Sequence, residues 1–248
     1  MPSVVNGDVR IHYTVQGAGP PLLLHHGSAS NYTSWIRYGY AKVLREHFRL
    51  ILIDARGHGQ SDKPVEPTAH ALPERIRDVT SVLDVLGIER AHFLGYSMGG
   101  WIGFGMARHA PERLLSLALG GAHPFADPAF RELQDIDASN PEEFLRAMAL
   151  VLGESVSQQT SQLLLQNQLS AVMASLRERV ALDDVLADMP VPCWLFAGTA
   201  DRRYELIQRA QRLIRDAELL SLPGLTHLQA LADAPHVLPG LLGFLRSV

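Results

Sequence analysis

The chain has 248 residues, 22 Lys and Arg against 26 Asp and Glu, a formal net charge of −4 and 47% hydrophobic residues. That length suits one α/β domain with a single insertion, and the apolar share is enough for a large core. The charge balance offers no basic face for nucleic acid, and the lone Cys193 excludes an internal disulfide, which fits a reducing compartment. The first residues, Met1 to Asp8, have neither a charged leader nor a long apolar run, and no later run is long enough to span a bilayer. The expectation is a cytoplasmic protein.

In chain order, Val4-Val5 and Val9 to Val15 flank Asn6-Gly7-Asp8, which predicts a hairpin. Strands are expected at Pro21 to His25, Leu50 to Ile53, Phe93 to Gly95, Leu115 to Leu119, Trp194 to Ala197 and Leu219 to Leu222. Helices intervene. The clearest is Pro73 to Leu86, where Ile76, Val79, Leu83 and Leu86 recur at helical spacing and Gly87 ends the run. A second amphipathic helix is expected from Tyr204 to Ile214. Alternating strands and helices predict a mostly parallel sheet covered on both faces, with the hairpin as an antiparallel edge.

Residues 122–189 break the alternation and read as successive helices, Ala129 to Ile136, Pro141 to Leu152, Ser155 to Leu169 and Val172 to Leu186. Asn140-Pro141-Glu142-Glu143 is a good helix start, with a cap, proline at the first position and acids in the first turn. The expected organisation is a core made of residues 1–121 and 190–248, with 122–189 inserted into it. The glutamines at 158, 159, 162, 166 and 168 are read as a solvated face.

The segment Gly95-Tyr96-Ser97-Met98-Gly99 carries the chemistry. It matches G-x-S-x-G, sits after an apolar strand and opens a helix rich in small residues. Such a turn lifts the Ser97 hydroxyl clear of the sheet and presents the Met98 N–H at a helix N-terminus, where an oxyanion is stabilised. A serine hydroxyl needs a base to act as a nucleophile, and that base needs an orienting acid. Asp201 follows the strand at 194–197, and His227 follows the strand at 219–222, in the order Ser, Asp, His. Each alone has a bland use, Asp201 as a helix cap and His227 as a loop residue. Their coincidence in order and strand-end placement favours chemistry.

Three further segments make the chain resemble the α/β-hydrolase superfamily. Leu22-Leu23-Leu24-His25-His26-Gly27-Ser28 resembles its strand-then-His-Gly segment, Asp54 to Pro64 its D-x-R-G-x-G-x-S loop, and Gly198-Thr199-Ala200-Asp201 its acid turn. The resemblance implies an α/β-hydrolase fold with a small helical cap at 122–189. It implies a triad of Ser97 as nucleophile, His227 as base and Asp201 as orienting acid. The implied oxyanion donors are the N–H groups of Ser28 and Met98, with Ala29 as substitute for the former. Some members place the acid one strand earlier, but here that strand ends in Gly120-Gly121-Ala122-His123 without a carboxylate, and Asp127 is only a reserve.

His26, His58 and His123 lack metal-ligand spacing, and Gly57-His58-Gly59 lacks the lysine of a phosphate loop, so neither metal nor cofactor is expected. Asp54 and Arg56 are read as structural. Candidate pocket residues are Trp35, Met98, Trp101, Phe125, Phe144 and Met148; no arginine pair is evidently placed to hold a dicarboxylate, which leaves Arg37, Arg131 and Arg146 only as reserve cations. The resemblance implies hydrolysis of a small-molecule ester or lactone through an acyl-enzyme, closest to the esterase and enol-lactonase branch. Aspartate-nucleophile branches (haloalkane dehalogenases and epoxide hydrolases) are disfavoured by the serine. A C–C hydrolase of a vinylogous diketone, or a slow ligand receptor on the same fold, are the alternatives. The sequence leaves the oligomeric state open.

Overall fold

A computed structural model describes residues 2–177 and 179–248. Eight strands form one sheet in the order β1-β2-β4-β3-β5-β6-β7-β8. They are β1 (Ser3–Asn6), β2 (Val9–Gln16), β3 (Pro21–His25), β4 (Arg49–Ile53), β5 (Ala91–Tyr96), β6 (Leu114–Gly120), β7 (Cys193–Gly198) and β8 (Glu218–Leu222). The two N-terminal strands are antiparallel, as the hairpin signal predicts, and every pair from β3 to β8 is parallel. All six residues of β5 and of β7 are buried, because helices cover both faces of the sheet.

The helices are α1 (Thr33–Arg37), α2 (Tyr40–Leu44), α3 (Leu72–Val85), α4 (Met98–His109), α5 (Pro141–Leu152), α6 (Gln158–Leu164), α7 (Leu169–Arg177), α8 (Tyr204–Leu213), α9 (His227–Ala232) and α10 (Ala234–Ser247). One face of the sheet packs against α3, α4 and α8 through Leu23, Ile51, Phe93, Leu117 and Leu195. The other packs against α2 and α10 through Leu22, Leu24, Leu50, Leu52, Leu94 and Trp194. Cys193 lies buried in β7, and burial pushes its thiol up to about 12, so it serves as a small core residue.

Strand order reverses between β3 and β5, since the chain passes from β3 outward to β4 and then crosses back. A crevice opens at such a reversal, beyond the C-terminal ends of the strands. The register gathers those ends: His25 lies beside Gly95, Tyr96 beside Gly120, and Gly198 beside Leu222.

Between β6 and β7 the chain makes no strand among the described residues, and α5 to α7 build a small core from Phe130, Leu133, Phe144, Met148, Val151, Met173 and Leu176. The expected helix at 129–136 is instead a single 3-10 turn at Pro128–Phe130. The expected helix from 155 to 169 shortens to α6, starting where the Ser157 side chain caps the Thr160 N–H. The one expected from 172 to 186 is replaced by the earlier α7 and a 3-10 turn at Asp183–Val185, with residue 178 outside the described residues. Apolar spacing alone did not reveal these breaks, because the residues on either side pack on different neighbours.

The loop after β4 is structural, as its residues suggest. Both Asp54 oxygens are taken: Tyr32 N–H donates to Oδ1 at 2.8 Å, and Gln60 N–H and His12 Nδ1 reach Oδ2 at 2.9 Å. Arg56 forms a two-pronged pair with Asp78, Nε and Nη2 each 2.6 Å from a carboxylate oxygen, beneath the surface.

Candidate active site

Strand β5 ends at Tyr96 and α4 begins at Met98, so Ser97 alone turns the chain between them. It does so at φ 54° and ψ −109°. A non-glycine residue held there carries on the order of 1–3 kcal/mol of backbone strain. Its N–H donates to the Gly120 carbonyl at 2.8 Å, and its carbonyl accepts from Trp101 N–H at 3.0 Å. The turn closes only because its flanks lack side chains. A Cβ on Gly95 would stand 2.4 Å from the Gly99 carbonyl oxygen, and one on Gly99 would stand 2.1 Å from that of His25. Met98 is the first residue of α4, so its N–H has no acceptor within the helix and lies at the positive end of the helix dipole.

Opposite the elbow runs the loop after β3. Ala55 N–H donates to His26 Nε2 at 3.1 Å, which leaves the His26 proton on Nδ1, 2.7 Å from the Gly27 carbonyl. That neutral imidazole pins the loop, and burial lowers its pKa. Ser28 and Ala29 follow and line the same cavity as Ser97. Ala29 takes a left-handed φ of 53°, and its carbonyl accepts from Asn167 Nδ2 at 3.0 Å.

Asp201 comes from the loop after β7, and His227 is the first residue of α9, which follows β8. His227 Nδ1 lies 2.6 Å from Asp201 Oδ2, with both side chains buried. Burial works to raise the Asp201 pKa, but His227 and Arg203 outweigh it and bring it down to about 2. An ionised carboxylate only accepts, so the imidazole proton sits on Nδ1 and Nε2 keeps its lone pair. Burial, then the Arg203 guanidinium, hold the His227 pKa below its usual value. Gly121, at φ 58°, makes room for the ring: a Cβ there would stand 2.8 Å from His227 Cε1.

Three supporting residues were not foreseen from the sequence. The Tyr96 hydroxyl donates to the His227 carbonyl at 2.5 Å. Glu154, just beyond α5, accepts from Thr226 Oγ1 at 2.9 Å and from Leu228 N–H at 3.0 Å, on either side of His227. Arg203 donates its backbone N–H to Asp201 Oδ1 at 3.0 Å, places Nη1 3.3 Å from the same oxygen, and bonds the Val151 and Leu152 carbonyls at the end of α5.

Ser97 and His227 line a cavity of about 310 Å3. Its apolar wall includes Val151, Leu152, Leu163, Leu164, Leu228 and Leu231, with Tyr38 and Tyr96 beside them. None of the aromatic or methionine candidates lines it. Trp35 is fully buried, edge-on to Tyr40 at 5.2 Å between ring centres. Trp101 donates its Nε1–H to the Val180 carbonyl at 3.0 Å, with Arg179 over its ring. Phe125 lies between the His123 ring and the Arg209 guanidinium. Phe144 and Met148 fill the core of α5 to α7, and the Met98 side chain is buried against Arg75. The largest apolar groups gain most from complete burial between elements, and the cavity is lined instead by leucines, Val151 and the two tyrosines Tyr38 and Tyr96.

Asp127 is committed elsewhere, paired with Arg202 at 2.7 Å and capping the Ala129 N–H at 3.1 Å. Among the described residues no group of three or more His, Cys, Asp or Glu is placed to hold a metal ion. No helix among them is long and apolar enough to cross a membrane.

Known proteins share this architecture. Residues 20–208 match the profile of the alpha/beta hydrolase fold family. A hydrolase from Pseudomonas aeruginosa PA01 is 28% identical, with a TM-score of 0.82 over 98% of this chain and 97% of its own. The esterase RhEst1 from a Rhodococcus species is 26% identical, with a TM-score of 0.81 over 99% and 98%. A fluoroacetate dehalogenase from a Burkholderia species is 39% identical over 116 residues, 46% of this chain and 38% of that protein. The chain thus spans well under half the length of that curated relative. The sheet order, the serine turn and the profile match agree: the chain belongs to the alpha/beta hydrolase family.

Proposed function

We propose that the protein is a serine hydrolase that cleaves a small carboxylic ester or lactone through an acyl-enzyme. The observation that carries this reading is the buried 2.6 Å pair of His227 Nδ1 and Asp201, with His227 on the wall of the cavity that Ser97 also lines. In the reading, Ser97 Oγ attacks the substrate carbonyl while its proton passes to His227 Nε2. The Met98 and Ser28 N–H groups stabilise the oxyanion, each contributing about 2.7–4 kcal/mol by analogy with such donors elsewhere. His227 returns the proton to the departing alcohol, then takes one from the water that hydrolyses the acyl-Ser97. Asp201 keeps the imidazole in its productive tautomer and offsets the positive charge that develops on it. The helical segment 122–189 acts as the cap over this site, and Val151 and Leu152 at the end of α5 form part of its wall.

Serine rather than aspartate at the elbow favours this over the chemistry of the dehalogenase relative. The test is turnover of p-nitrophenyl esters from acetate to decanoate by wild type and Ser97→Ala. Multiple turnover that the substitution abolishes, with an optimum at short chains, is expected. A single burst without turnover points to the receptor or C–C hydrolase alternatives, and activity that survives the substitution overturns the nucleophile.

A further inference from the structure

The cavity at Ser97 is one of two that meet. A second, of about 430 Å3, lies on the outer side of the loop after β3 and shares with the first the wall residues Ala29, Ser30, Ser34, Arg37 and Leu163. The two differ in chemistry. Leucines dominate beside Ser97, whereas the second is lined by Asn31, Thr33, Gln60, Lys63, Gln166 and Asn167. Gln166, read as part of a solvated face, is exposed and also borders this cavity.

Arg37 stands where the two meet. It is the last residue of α1 and is exposed, and its side chain makes no hydrogen bond or ion pair among the described residues. Lys63, the other cation on the outer wall, donates to the Gly59 and Ser61 carbonyls at 2.8 Å each, which neutralises none of its charge. The wall's single carboxylate, Asp54, is fully buried, with both oxygens accepting from Tyr32, Gln60 and His12. The junction therefore offers an uncompensated guanidinium, with five donors in a planar fork suited to a carboxylate.

We propose that the substrate is an ester or lactone that also carries a carboxylate, held at Arg37 while the scissile carbonyl lies at Ser97. The proposal rests on the serine hydrolase reading above and adds the substrate's charge. For a half-ester, Ser97 Oγ bonds to the acyl carbon as the C–O bond to the alcohol breaks, and the alcohol leaves with the serine's proton, delivered by His227. Water then replaces Ser97 on the acyl carbon, one of its protons returning to Ser97 through His227 and the other passing to solvent as the new acid ionises, so the product is a dicarboxylate with its original carboxylate at Arg37. Arg37 is a specificity residue, distinct from the groups that carry out bond cleavage.

The test compares kcat/KM for monomethyl glutarate and dimethyl glutarate in wild type, Arg37→Gln and Arg37→Lys, with glutarate binding to Ser97→Ala and to Ser97→Ala/Arg37→Gln followed by calorimetry. Wild type is expected to prefer the half-ester. Arg37→Gln should cut that preference by about tenfold to a hundredfold, mainly through KM, and Arg37→Lys should restore part of it. Glutarate should bind Ser97→Ala and lose that binding with Arg37→Gln. Equal treatment of the two esters by wild type, or a preference that Arg37→Gln leaves unchanged, overturns the proposal even if Ser97-dependent hydrolysis stands. If no ester is turned over, the hydrolase reading falls, and Arg37-independent glutarate binding, or none, removes the anion site as well.

Discussion

The hydroxyl of Tyr96, the residue before the serine, donates to the carbonyl of His227 across 131 positions of sequence at 2.5 Å. The turn at Ser97 and the start of α9 are thus joined by one buried hydrogen bond, and the Tyr96 ring packs 5.1 Å from the imidazole, centre to centre. Tyr96→Phe keeps the ring and removes the bond. The expected stability loss is about 1 kcal/mol, read from urea denaturation. In the reading above, kcat falls severalfold with KM nearly unchanged, because the base loses its register with the nucleophile.

Glu154 provides a charge test of the same segment. Its two oxygens accept from the neighbours of His227, and its negative charge acts to raise the His227 pKa against burial and Arg203. Wild-type kcat/KM should therefore rise with pH along a limb centred below the usual imidazole value of about 6.5. Glu154→Gln can keep both hydrogen bonds, with its amide group turned to the Thr226 hydroxyl, while the charge is lost. Its limb should move to still lower pH. A limb that moves upward, or stays in place, contradicts the assignment of His227 as the titrating base.

Acid should destabilise the protein well above the carboxylate range. Burial lowers the pKa of His25 to about 3 and those of His70 and His123 to about 4, and pushes His58 well down too. These rings stay neutral in the folded state but take up protons once unfolded. The stability they confer is complete above about pH 6.5 and is lost as pH falls toward their folded values, at on the order of 1 kcal/mol per pH unit for each. Unfolding free energy measured between pH 7 and 5 should drop steeply, with proton uptake on unfolding. A flat profile would show that these histidines are protonated in the fold.

Two glycines with opposite surroundings predict opposite signs. Gly99→Ala would drive a Cβ to 2.1 Å from the His25 carbonyl oxygen, so the elbow must shift and the protein should lose several kcal/mol or fail to fold. Gly243, in α10, has nothing within 4 Å of where a Cβ would stand and no positive φ. Gly243→Ala should stabilise by roughly 0.5–1 kcal/mol through helix propensity, measured as a higher denaturation midpoint.

The serine turn, the strand-end positions of Asp201 and His227, and the strand–helix alternation were legible in the sequence because each depends on local signals: glycines that permit a tight turn, apolar runs and their order. Packing alone decided which side chains face the cavity. Trp35, Trp101, Phe144 and Met148 have the size and polarity of pocket residues, yet they lie in cores, where contacts on all sides bury more of their surface. The residues that bond around His227, namely Tyr96, Glu154 and Arg203, are tens of residues or more from it in sequence and come together only when the strand ends converge. The same convergence brings Arg37 to the junction of two cavities. Local chemistry is written along the chain, but a neighbour across the sheet exists only once the register has closed.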